Sequence, residues 1–135
     1  RGDLDMTVLA IRTGATTSPT LVGSYMERDH GSARGVHQLF VLGDSSATGY
    51  SPSMLYVARD SAPELRRFID HLDLDGDGVD EIVLEGWRDS GESALLIFQY
   101  TGGRWKETAR SATSWCGDPP ADHSGPLGLP GRGTS

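Results

Sequence analysis

The chain has 135 residues, 19 acidic and 12 basic, for a net charge of −7. That length makes one domain. The acidic balance, with no basic patch, excludes a nucleic-acid surface, and no apolar run of about 18 residues is present to cross a membrane as a helix.

Residues 6–11 (MTVLAI) read as a first strand. The GDLD before it, at 2–5, loosely echoes the acidic stretch discussed below, as a worn second copy of it would. Residues 13–20 are rich in Thr and Ser, with Gly14 and Pro19, and read as a solvated turn. A second strand covers 21–26, a turn follows at 29–32, and 36–42 (VHQLFVL) is a third strand with an apolar end suited to a core. Residues 43–52 read as a loop of small polar residues, and 54–58 as a fourth strand. The fifth, 66–71, leads into the acidic stretch 73–81, and the sixth leaves it at 82–87. A turn at 89–92 joins this to a seventh strand at 94–100. Gly102 and Gly103 turn the chain into an eighth at 105–110, since two strands joined by Gly-Gly are a good hairpin signal. No helical period is visible, and the 18 glycines, about twice the usual share, suit turns and short strands. The expectation is an all-β fold of antiparallel sheets, either a small sandwich or a propeller-blade-like stack. Its domain is 1–116, followed by a Pro/Gly-rich tail at 117–135 holding Pro119, Pro120, Pro126 and Pro130. The tail is expected to lie on a neighbouring copy and help link subunits. The lone Cys116 excludes an internal disulfide. A chain starting at Arg1 reads as a processed mature protein or an excised piece.

The stretch DLDGDGVDE, residues 73–81, is five-ninths acidic. Carboxylates packed that closely repel one another unless a cation sits between them. Acids at alternate positions 73, 75 and 77 turn oxygens inward as the chain curls round a hard cation, and the glycines permit positive φ. A twelve-residue EF-hand fits poorly: Gly78 falls at position 6, but position 12 is Leu84, which cannot ligate, and IVL at 82–84 is strand-like rather than helical. A nine-residue loop fits better. Asp73, Asp75, Asp77 and Glu81 supply carboxylates and Val79 its carbonyl to one Ca²⁺. The pattern D-x-D-G-D-G-x-x-D followed by an apolar strand resembles the calcium loops of FG-GAP and VCBS repeats, found in integrin α-subunit propellers and bacterial secreted proteins. Glu81 stands where that pattern has Asp, and the resemblance covers roughly residues 68–110. It implies a secreted, extracellular protein and a structural metal that holds a hairpin corner. A propeller needs at least about four blades. Strands for about two predict a small sandwich, or sheets completed by partner copies.

Nothing in the chain names a reaction. There is no G-x-S-x-G elbow, Cys116 has no His near it in sequence, and His30, His37 and His123 lack zinc-like spacing. His71 is either an outer partner of the acidic loop or an ordinary strand residue. Trp87, Trp105 and Trp115 form either a sugar platform or parts of core and interface. The expected role is therefore non-enzymatic: a calcium-binding structural or interaction module that associates with itself or with another extracellular protein. The alternatives are a calcium-dependent carbohydrate- or ligand-binding module and an accessory domain of a secreted hydrolase.

Overall fold

A computed structural model of the protein describes residues 2–29, 36–59, 64–88 and 90–111. The tail at 117–135, with Cys116, Trp115, His30 and His123, lies outside the described residues. Eight strands follow one another: β1 (Gly2–Ile11), β2 (Thr20–Asp29), β3 (Val36–Ser46), β4 (Gly49–Ala58), β5 (Leu65–Leu72), β6 (Glu81–Trp87), β7 (Ser93–Thr101) and β8 (Arg104–Arg110). They form two four-stranded antiparallel meanders, β1-β2-β3-β4 and β5-β6-β7-β8. The fold is all-β, as the short alternating segments predict.

Alternation explains how the sheets meet. Along β3, Gln38, Phe40, Leu42 and Asp44 are buried while His37 and Leu39 are exposed, the period of two of a strand with one covered face. The first sheet sends Ile11, Val22, Phe40, Leu42 and Met54 inward, and the second sends Ile82, Leu84, Leu96, Phe98 and Trp105. These ten side chains form one shared core between the two inner faces. Fully burying a residue such as Leu84 or Phe40 contributes roughly 1.5–3 kcal/mol, so the core is the main bond between the sheets.

Polar groups set into that core fix how the sheets sit. Gln38 donates from Nε2 to Arg66 O at 2.6 Å and accepts from Arg66 N at 2.7 Å, so an amide of the first sheet pairs with the backbone of β5. The Arg66 guanidinium lies 3.8 Å from the centre of the Tyr56 ring, a cation–π contact between sheets. Asp44 is 3% exposed and serves three donors: Thr20 Oγ1 to Oδ1, and Ser53 Oγ and Trp105 Nε1 (2.7 Å) to Oδ2. Thr13 stands next to Thr20, oxygen to oxygen at 2.7 Å, and extends the chain of hydroxyls.

Two sequence expectations change. Residues 43–52 are not a loop: β3 runs on to Ser46 and β4 starts at Gly49, with Gly49 at φ 117° closing a tight hairpin. Small polar residues hide this strand because Asp44 and Ser53 are buried by hydrogen bonding rather than by apolarity. Pro52 is tolerated because β4 is an edge strand and the register shifts beside it, opposite Leu42/Gly43. That shift also explains why Ser53 and Met54 are both buried although adjacent. Likewise the GDLD at 2–5 is not a second acidic loop, since it belongs to β1 and pairs with β2.

Candidate metal centre

The acidic loop joins β5 to β6, and its shape follows from its own side chains. Asp73, just past the end of β5, accepts from Gly76 N (2.8 Å) and Asp77 N (3.2 Å) at Oδ1 and from Gly78 N (2.8 Å) at Oδ2. One carboxylate thus gathers three backbone donors and curls the chain round itself. Gly76 at φ 78° and Gly78 at φ 89° occupy the left-handed region that the curl requires. The Gly78 N–H above all, with those of Gly76 and Asp77, holds the Asp73 carboxyl below its ordinary value.

Glu81 opens β6 and is buried, with Oε1 accepting from Leu74 N at 2.7 Å. Asp75 comes from the tip of the curl. One oxygen each from Asp73, Asp75 and Glu81 lie within 4.8 Å of one another. Ca²⁺ binds carboxylate oxygens at about 2.3–2.6 Å, so two ligands of one ion lie at most about 5 Å apart. The trio therefore fits around one hard cation, with an all-oxygen donor set. Desolvation, joined by the neighbouring Asp77 and Glu81 carboxylates, pushes the Asp75 carboxyl above its ordinary value against the Asp77 N–H. A cation between these groups relieves that opposition.

The other two expected ligands sit differently. Asp77 is outside the trio, its Oδ1 accepting from Val79 N at 2.9 Å. Val79 thus lies on the returning limb of the curl, next to the Asp77 side chain. Asp80 is taken up elsewhere: Oδ2 meets His71 Nδ1 at 2.6 Å. His71 therefore braces the base of the loop through Asp80 and is not among the three converging residues.

Two partners of the loop escape a reading of sequence. Gln99 of β7 reaches Asp75 Oδ2 at 2.9 Å and Glu81 Oε2 at 3.2 Å from Nε2, linking two members of the trio. Its signal is a polar residue in the apolar run ALLIFQY at 94–100, but only strand pairing brings it beside Glu81. The second is the β1–β2 connection. Asp80 N donates to Thr13 O at 2.7 Å, and a Cβ on Gly14 would stand 2.8 Å from Gly78 O. Gly14, at φ 83°, lets this connection press directly against the acidic loop. The loop of the second sheet is thereby anchored to the first.

Of the two readings of the tryptophans, the described residues favour core and groove wall over an exposed platform. Trp105 is in the core at 3% exposure, while Trp87 lines a groove of about 370 Å³ with Arg66, Arg67, Phe68 and Asp5. Comparison with protein-family models, curated proteins and solved structures gives no match for this chain.

Proposed function

We propose that the protein is an extracellular calcium-binding structural or interaction module of the kind the FG-GAP/VCBS-like loop implies, and that the ion is structural. The observation that carries this reading is the convergence of Asp73, Asp75 and Glu81 within 4.8 Å in a loop already curled by its own backbone. Asp77 and the Val79 carbonyl complete the proposed sphere as the loop tightens on the ion, which exchanges the Val79 N–H contact of Asp77 for the metal. The ion offsets charge in a corner held against the first sheet through Thr13 and Gly14. The module's role is then to present its sheets to a copy of itself or to another extracellular protein.

Isothermal titration with Ca²⁺ and melting curves in Ca²⁺ and in EDTA test the reading. Binding to the folded state alone stabilises by roughly 2.7 kcal/mol at a hundredfold excess over Kd, a rise in Tm on the order of 10 °C for a chain of this size. Asp75→Ala removes the heat of binding and the gain in Tm together. Equal melting curves in EDTA and calcium would falsify the structural metal.

A further inference from the structure

The core occupies the inner faces of the two sheets, so each sheet has one face left over, and the two leftover faces differ. On the outward side of the second sheet, Val83 is 9% exposed and Arg67 pairs with Glu85 at 2.6 Å, so that face is largely covered by its own side chains. On the first sheet two adjacent rows of outward positions are apolar and mostly exposed. Met6, Tyr25, Leu39 and Val57 stand side by side across all four strands, and Val8, Gly23, Val41 and Leu55 form the next row. Met6 is 69% exposed, Val8 66% and Leu55 59%. Soluble monomers rarely leave a contiguous apolar surface of this kind open.

The charges beside the apolar rows say what covers them. The row next to Met6 runs Leu4, Glu27 and His37, and Arg59 follows β4 at its end. Glu27, His37 and Arg59 share a shallow depression of about 370 Å³ with Tyr25, Leu39 and Val57. The row is thus acidic on the β2 side and basic on the β3–β4 side. A two-fold axis parallel to the strands, between β2 and β3, keeps each row at its level and reverses its order. It sets Tyr25 of one copy over Leu39 of the other and Met6 over Val57. It also sets Glu27 over His37, with Arg59 alongside. The face is therefore complementary to itself in charge as well as apolar. Val41 leans across Gly23, whose missing side chain keeps its row flat, and flat faces can stack at the spacing of about 10 Å that packed sheets adopt.

We propose that the outward face of the first sheet is an isologous dimer interface occupied by a second copy of this chain, β2 facing β3. The inference names the partner in the interaction role given above and rests on that role, but not on the metal. Light scattering and sedimentation of the full chain over a hundredfold concentration range, in calcium and in EDTA, test it. The expected result is a dimer in both buffers. Leu39→Lys gives a monomer with unchanged far-UV signal and a Tm that no longer rises with protein concentration. Glu27→Arg weakens the dimer about tenfold or more, and adding His37→Glu restores it, because residue 27 of one copy again faces an opposite charge at residue 37 of the other. The proposal is overturned by a wild-type monomer at every concentration, by a mass that grows beyond two copies, by a dimer that survives Leu39→Lys unchanged, or by a double charge reversal that associates no better than the single one. Failure of the calcium reading shows separately, as a dimer whose Tm ignores calcium.

Discussion

Replacing Asp44 by alanine removes the acceptor for Thr20, Ser53 and Trp105 in one step. Thr20 can still turn to Thr13 and Ser53 to the Leu42 carbonyl, but Trp105 Nε1–H loses its acceptor. A buried donor left without a partner costs about 1–3 kcal/mol, so Asp44→Ala should destabilise the fold by about that much. A urea titration of both proteins checks this. Asp44→Asn should cost less, since the amide keeps one acceptor oxygen. Glu64 offers a pH test. Burial pushes its carboxyl up, but hydrogen bonds and charge from Arg110 (2.8 Å) and Arg66 (3.2 Å) outweigh that and hold it below the ordinary 4.5. A depressed folded-state pKa gives stability that is present above the unfolded value and lost as pH falls through the folded one. Glu64→Gln should therefore lower Tm near neutrality and flatten the loss of Tm below about pH 4.5, followed by melting at successive pH values. Gly86 makes the Glu64 position possible, because a Cβ there would lie 2.8 Å from Glu64 Cδ. Neither Asp44 nor Glu64 is legible in the sequence, where a single acid looks the same on a surface as in a core. The carboxylates of the acidic loop are legible because their spacing carries the information.

At the scale of elements, the eight strands are legible because each alternates or carries a turn signal at its end. Gly102 (φ 62°) and Gly103 (φ 81°) form the positive-φ pair that a tight hairpin demands. The β3–β4 hairpin is the exception, since its inward residues there are polar. The β1–β2 connection also hides its role, because nothing local marks Gly14 as a point of contact with residues more than sixty positions away. Gly14→Ala puts a Cβ at positive φ and against the Gly78 carbonyl. A loss of about 1–3 kcal/mol is expected from strain and displacement. Calcium binding should also weaken although Gly14 supplies no ligand. Titration calorimetry on Gly14→Ala checks this, and an unchanged affinity would show that the two loops are independent.

At the scale of the whole molecule, ten core residues divide equally between the sheets, so neither sheet covers its inner face alone. Leu84→Ala should cost about 2–5 kcal/mol and lower the stability of both sheets as one cooperative unit. Coincident unfolding transitions by Trp fluorescence and far-UV circular dichroism check this, whereas a separate early transition of one sheet would contradict it. The pairing of the two meanders is the part of the fold that sequence leaves open. Alternation says which residues face inward, but not which sheet they meet, and the contacts that decide it are single side chains such as Gln38 and Trp105.

The succession of strands has a kinetic consequence. Every hydrogen-bonded strand pair joins neighbours in the chain, so each sheet can zip up from its own hairpins at little loop-closure cost. Distant segments have to find each other only when the sheets dock, through the shared core and the bond from Trp105 to Asp44, 61 positions apart. Docking is then the slow event in folding. Changes in the tight turns, already formed when the sheets dock, should mainly slow refolding, while losses among the side chains that reach across the gap should divide between slower refolding and faster unfolding.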